Sequence, residues 1–298
     1  MTGNELRWGI LGAADIADKA LIPAILAADG SRLVAIAARD PERAAAMARR
    51  HGIERVHRDY ASLLADPELD AVYLPLANNL HREWTLRALE AGKHVLCEKP
   101  LALNLAEGEE MAEAASSSGR LLMEAFMYRF HPRMRELVAS LRSIPIRHVS
   151  ASFGFTMAPS DNYRLRPELG GGALYDTGCY VANVIRWLLG EPERVEAVMG
   201  NGAVDMSCSA VLAFPGGAQA SLYCSFESPE YQELTVVCED RVVSEDRPFS
   251  RWRDPHDPYQ VMVQEFAAAA RSGGTAPLPL EDSLANLRLL DQIRAAAI

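Results

Sequence analysis

Hydrophobic and polar positions alternate in two different rhythms along the chain. Arg7 to Leu11 is an apolar run ending at Gly12, the pattern of a buried strand meeting a tight turn. Asp15 to Leu26, rich in alanine and isoleucine, follows as a helix. Leu33 to Ala38 is a second apolar run, and Pro41 opens a helix at the position where proline fits best. Ala71 to Leu76 is a third run. His81 to Ala91 reads as a helix ended by Gly92. His94 to Cys97 is a fourth run, stopped by Pro100. Asn104 is placed as a helix N-cap, with Glu107 completing a capping box. Short apolar strands separated by helices predict a parallel sheet covered on both faces.

That rhythm ends near Arg120. After the run Leu121 to Phe130, strand patterns come at close spacing: Val149 to Phe155, Arg194 to Met199, Ser207 to Phe214, Ala218 to Phe226 and Leu234 to Cys238. Gly216-Gly217 marks a hairpin turn between two of them. Ala173 to Leu189 is the long helix of this block, and Leu284 to Ile298 is a closing helix. The pattern predicts a mostly antiparallel sheet with too few helices to cover both faces. An uncovered face is an association surface, so a homodimer or higher homo-oligomer is expected.

Composition narrows the class. A length of 298 residues suits about two domains. The net charge of −10 removes the basic footprint of a nucleic-acid partner. No apolar run reaches the roughly 20 residues of a membrane span. The polar start, Met1 to Leu6, does not resemble a signal peptide. Cys97, Cys179, Cys208, Cys224 and Cys238 form no C-x-x-C pair and read as buried reduced thiols rather than metal ligands. A cytoplasmic protein without a metal is expected.

Two local features carry chemistry. Gly12-Ala13-Ala14-Asp15-Ile16-Ala17 lies where a G-x-G-x-x-G/A fingerprint belongs, between the first strand and the first helix. A helix amino end there faces a pyrophosphate. Ala14 replaces the second glycine. At the tip of the second strand stand Ala38 and Arg39, where an acidic residue would hold the ribose 2′-hydroxyl of NAD. A guanidinium suits a 2′-phosphate instead, so NADP(H) is preferred and NAD(H) tolerated. Arg43 stands ready to add to it, and Asp40 suits a helix cap. The second feature is Glu98-Lys99-Pro100 at the carboxyl end of a strand, the edge where ligands bind in open α/β sheets. A lysine beside a nicotinamide can donate or accept a proton.

These runs, with Gly9 to Gly12, Pro75 to His81 and Gly170-Gly171-Gly172, resemble the glucose–fructose oxidoreductase / inositol dehydrogenase / MocA family over nearly the whole chain. Met123 to Pro132 further resembles the branch of D-xylose dehydrogenases, 1,5-anhydrofructose reductases and dimeric dihydrodiol dehydrogenases. The resemblance implies an α/β chain: an N-terminal Rossmann domain with a parallel sheet over residues 1–121, then an α+β domain with a large open sheet over 122–298. The last helix is free to pack back on the first domain. It implies Lys99 as a substrate and proton residue, with Asp176 and Tyr180 as partners on one helix face four residues apart. Tyr180 stands where many members have histidine, so the acid/base role stays open between it and Lys99. Leu76, Asn78 and His81 follow the third strand and line the cofactor path, unless His81 caps its helix. Glu98, Tyr163, Arg164 and Tyr259 complete the cofactor candidates. Arg129 meets a substrate hydroxyl or phosphate, or else forms a structural salt bridge. The expected function is hydride transfer between NADP(H) and a carbinol carbon of a sugar or polyol. The rivals are a keto-sugar reductase, nucleotide-linked substrates included, and a catalytically silent NADP-binding regulator.

Overall fold

The computed structural model describes residues 5–158, 162–200, 202–250 and 256–298. In chain order its first elements are β1 (Leu6–Leu11), α1 (Ile22–Ala27), β2 (Ser31–Ala37), α2 (Pro41–His51), β3 (Arg55–His57), α3 (Tyr60–Leu64) and β4 (Ala71–Leu74). Then come α4 (His81–Glu90), β5 (His94–Cys97), α5 (Leu105–Ser118), β6 (Leu122–Glu124), α6 (Pro132–Leu141) and β7 (Ile146–Thr156). The rest are α7 (Cys179–Leu189), β8 (Arg194–Met199), β9 (Ser207–Ala213), β10 (Gln219–Ser225), β11 (Glu227–Cys238), β12 (Val242–Asp246), α8 (Pro258–Ser272) and α9 (Leu280–Ala296).

The chain forms two compact units, and both are discontinuous in sequence. The described residues of the first are 5–101, 106–131 and 256–283; those of the second are 102–105, 132–158, 162–200, 202–250 and 284–298. The sequence reading placed a single boundary after residue 121 and let the last helix return to the first domain. Here α8 belongs to the first unit, and the last helix belongs to the second from Leu284 onward.

The first unit carries a six-stranded parallel sheet in the order β3-β2-β1-β4-β5-β6. Strands β4 and β5 are buried throughout, as expected when helices cover both faces. Trp8 of β1 is fully buried, its ring 5.3 Å from that of Phe266 on α8. Residues 15–27 form one helical stretch, as predicted, with a π turn over Ala17–Leu21. The Ile22 N–H reaches the Ala17 carbonyl, five residues back, just before Pro23, which has no N–H to donate. Strand β3 was not predicted because its three residues are half-exposed or exposed and two of them are charged or titratable.

The second unit carries a six-stranded sheet ordered β12-β11-β7-β10-β9-β8. All neighbours are antiparallel except β7 and β10, which run parallel. Burial alternates along β9 and β10, so each presents one face to the unit's core and one outward. The hairpin at Gly216-Gly217 is present, closed by the Phe214 N–H on the Ala218 carbonyl at 2.9 Å. The predicted helix from Ala173 runs to Leu189, opening with a π turn over Leu174–Gly178. The five cysteines are free and buried.

Candidate active site

The first unit's candidate residues gather at the carboxyl ends of β1, β2, β4 and β5. Gly12 follows β1 with φ +124°, a conformation that side chains rarely adopt. A Cβ there would stand 3.0 Å from the Leu76 side chain. Glycine therefore lets the ends of β1 and β4 close on each other. The Gly12 N–H donates to the Ala37 carbonyl of β2 at 2.8 Å. Ala13 is buried, Ala14 and Ile16 are half-buried and Asp15 is exposed. This cradle at a helix amino end fits a dinucleotide pyrophosphate, with Ala14 narrowing the approach.

The tip of β2 fits the adenosine end. Ala38 is 6% exposed, and Arg39 is exposed and enters no ion pair among the described residues. Asp40 caps α2, accepting the N–H groups of Glu42 and Arg43 at 3.0 and 3.3 Å. Arg43, expected beside Arg39, is tied into the nucleotide turn: its Nη2 donates to the Ala13 carbonyl at 2.9 Å and lies 4.0 Å from Asp15 Oδ1.

Lys99 sits on a turn clamped by residues far apart in sequence. The Tyr73 hydroxyl donates to Glu98 Oε1 at 2.5 Å. Glu98 Oε2 accepts the Lys99 N–H at 3.3 Å. The Lys99–Pro100 peptide is cis. Beyond it, the Leu101 N–H donates to Glu124 Oε1 at 2.9 Å. His81 brackets the turn: Nδ1 lies 2.9 Å from the Pro100 carbonyl and Nε2 lies 3.1 Å from the Leu76 carbonyl. His81 is 0% exposed, and burial lowers its pKa below the ordinary value despite those carbonyls. Lys99 itself is half-buried. Burial also pushes the neighbouring Cys97 thiol up, which makes it an inert neighbour.

The other predicted residues of the first unit stand as follows. His81 was expected along the cofactor path, but with no exposed surface it holds the two loops that flank that path. Asn78 opens the 3₁₀ turn before it and is 4% exposed, whereas Leu76 is half-buried against Gly12. Tyr259 is 5% exposed in the first turn of α8. Arg129 makes the structural alternative: its Nη1 is 3.1 Å from Asp282 Oδ2. Tyr73, Glu124 and Asp282 were missed. The signal for Glu124 was its place in Met123 to Pro132, at the carboxyl end of β6.

In the second unit Asp176 and Tyr180 lie on the same helical stretch, 7% and 8% exposed. Arg164 Nε stands 2.7 Å from Asp176 Oδ2 and its guanidinium lies 4.9 Å over the Tyr163 ring. Arg164, predicted as a cofactor contact, thus also fixes the aspartate. The Tyr180 ring packs 5.8 Å from Phe153 and 5.5 Å from Phe249. The glycine run explains how the loop reaches the helix. A Cβ on Gly171 would fall 2.4 Å from the Arg164 carbonyl oxygen. The Gly172 N–H donates to that same oxygen at 2.9 Å. Asp205, which the sequence reading missed, accepts the Leu174 N–H at 2.7 Å, and burial raises its pKa. Its signal was absent, because it lies in an unremarkable loop.

A dinucleotide cradle on a parallel sheet, with a clamped lysine beside it, defines a nicotinamide-dependent oxidoreductase fold. Residues 6–126 match the model of the oxidoreductase family with an NAD-binding Rossmann fold, and residues 131–244 match the GFO/IDH/MocA C-terminal domain. A D-xylose 1-dehydrogenase (NADP(+)) from Haloferax volcanii is 38% identical, covering 98% of this chain and 97% of its own. A 3-ketoreductase from Actinomadura kijaniata, solved with NADP and TDP-benzene, is 32% identical with a TM-score of 0.89, covering 99% of this chain and 98% of its own. An aldose-aldose oxidoreductase from Caulobacter crescentus, solved with glycerol, is 28% identical with a TM-score of 0.92, covering 98% and 97%. The chain belongs to the Gfo/Idh/MocA family of oxidoreductases.

Proposed function

We propose that this oxidoreductase uses NADP(H) to interconvert a carbinol and a carbonyl carbon of a sugar or related polyol. The observation that carries the cofactor choice is the β2 tip, where buried Ala38 replaces an acidic residue and Arg39 is exposed without an ion pair among the described residues. A guanidinium forms paired, charge-assisted bonds to a phosphate and gives nothing comparable to a bare ribose hydroxyl. The NADP(+) named for the xylose dehydrogenase and the NADP bound to the ketoreductase support the same choice.

In this reading the first unit holds the dinucleotide through residues 12–16, Arg39, Leu76 and the turn at Glu98, with Asn78 behind it. When bound there, the nicotinamide would supply the hydride chemistry, as acceptor in oxidation and donor in reduction. Lys99 Nζ or Tyr180 Oη takes the hydroxyl proton as the carbon–oxygen double bond forms, and returns it in reduction. The Asp176 carboxylate accepts a substrate hydroxyl and orients the reacting carbon. Arg164 Nε, 2.7 Å from Asp176 Oδ2, fixes the carboxylate's orientation. Tyr163 and Arg164 complete the cofactor side.

The test is turnover of a panel of aldoses, polyols and keto-sugars with each cofactor. NADP-linked turnover, lowered about tenfold or more in both Lys99→Ala and Tyr180→Phe with NADP(H) binding kept, is expected. Tight NADP(H) binding without turnover of any substrate would favour the silent regulator. Full rate in Tyr180→Phe alone would leave Lys99 as the acid/base.

We further propose a homodimer formed on the outward face of the second unit's sheet, in the cytoplasm, where its free thiols stay reduced. Val198 and Val211 are 55% and 57% exposed on adjacent strands β8 and β9. The same face, with Tyr223 and Ile298, lines a cavity of about 650 Å³. Exposed apolar surface of this kind is an association site. A monomeric mass by light scattering at micromolar concentration would overturn the dimer.

A further inference from the structure

The first unit has a second cavity, of about 600 Å³, at the other edge of its sheet. Its wall is built at the amino ends of the parallel strands: Leu6 and Arg7 open β1, Arg32 lies at the start of β2, and His94 opens β5. The dinucleotide cradle lies at the opposite, carboxyl ends. The wall holds four arginines, Arg7, Arg32, Arg120 and Arg271, against two carboxylates, Glu5 and Asp70. That local excess of positive charge stands in a chain whose net charge is −10.

The charges are not equally committed. Arg7 is spent on Asp70, with bonds of 2.8 and 2.7 Å that leave that carboxylate satisfied. Arg32 pairs with Glu54 outside the cavity. The Arg120 guanidinium enters no ion pair or hydrogen bond among the described residues. The Arg271 guanidinium lies against Gly30 and already has a partner of its own.

His94 supplies the second observation. It is 8% exposed, yet it lines the cavity. Its Nδ1 accepts the Leu121 N–H at 2.9 Å. Burial, then Arg120, lower its pKa, so the ring is neutral. With Nδ1 accepting, the ring hydrogen is on Nε2. That N–H has no partner among the described residues, on a side chain more than nine-tenths buried. Helix dipoles explain arginines at helix ends: Arg271 is in the last turn of α8 and Arg120 follows α5. Arg7 and Arg32 are accounted for by Asp70 and Glu54, but neither the dipoles nor those pairs explain a buried donor histidine on β5.

We propose that this cavity is a binding site for a small phosphorylated molecule, held by Arg120, Arg271 and the His94 Nε2–H. Guanidinium groups match phosphoryl oxygens in pairs, and the volume falls in the range of small-ligand pockets. The inference does not depend on the proposed reaction, because the two sites occupy opposite ends of the strands.

The test is calorimetric titration of inorganic pyrophosphate into NADPH-saturated protein, with sodium chloride of equal ionic strength as the control and NADPH fluorescence followed in parallel. Saturable binding with NADPH retained is expected. Arg120→Glu should weaken it about tenfold or more, as the loss of a charge-assisted bond requires. Arg271→Gln, which keeps the size of the side chain, should also weaken it, and both variants should keep NADPH binding. Heat that appears only as NADPH is displaced, a response equal to that of chloride, or unchanged affinity in both variants would overturn the proposal.

Discussion

Replacing Gly171 by alanine tests how the glycine run serves the site. The new Cβ would fall 2.4 Å from the Arg164 carbonyl oxygen, 2.7 Å from its carbon and 2.9 Å from the Arg166 carbonyl oxygen. All three are backbone atoms, so no side chain can swing away. The loop 164–166 must then lift from the helix start. That breaks the Gly172 N–H bond to Arg164 O at 2.9 Å and the Gly171 N–H bond to Arg166 O at 3.0 Å. Overpacking costs about 1–3 kcal/mol and each lost bond about 1 kcal/mol, giving about 3–5 kcal/mol. Gly52→Ala is the control, because Gly52 has φ +68° with nothing within 4 Å of a new Cβ. It carries the left-handed strain alone, about 1–2 kcal/mol. Urea unfolding followed by circular dichroism measures both. Turnover at low denaturant, where both variants are folded, reads the second consequence: Arg164 is carried off Asp176, so Gly171→Ala loses rate and Gly52→Ala does not. A Gly171→Ala variant no less stable than Gly52→Ala would refute the close-approach argument. One that is destabilised with full rate would separate the glycine run from catalysis.

Arg39→Ala should weaken NADP(H) by about 1.5–3 kcal/mol and leave NAD(H) nearly unchanged in fluorescence titrations, while equal wild-type affinities for the two cofactors would defeat the reading of the β2 tip. Tyr73→Phe deprives Glu98 of its phenol donor; a loss of about 1.5–3 kcal/mol in thermal unfolding is expected, with unchanged stability as the contrary result. His81 gives a pH dependence of definite sign. Its native pKa is depressed below 6.5, so on acidification the unfolded chain takes up the proton first. Stability is full above the ordinary histidine value and falls as pH drops toward the depressed one, by at most about 1.4 kcal/mol per pH unit for this group. Melting curves from about pH 7 to about pH 5 should show a shallower fall in His81→Asn than in the wild type, and parallel falls would count against it.

The sequence by itself determined the first sheet's four buried strands, the turn at Gly12, the strand end that carries Lys99, the helix that carries Asp176 and Tyr180, and five strands of the second sheet. Each is a local pattern: an apolar run of strand length, a glycine or proline at a turn, a cap three residues before its partner. Such patterns survive in one dimension because the forces that make them act between near neighbours. The tertiary structure decided the rest. It folds α8 back onto β1 through Phe266 and Trp8, an association that neither segment's periodicity specifies. It pairs β12 and β3 through backbone bonds, although their residues, exposed or half-exposed, carry no burial signal. It turns His81 inward as a bracket, spends Arg129 on Asp282 and Arg43 on the Ala13 carbonyl, and brings Tyr73 to Glu98 and Arg164 to Asp176. A polar side chain has the same identity whether it holds a ligand or a loop. Which of the two it does depends on the partner that the fold delivers from a distant part of the chain.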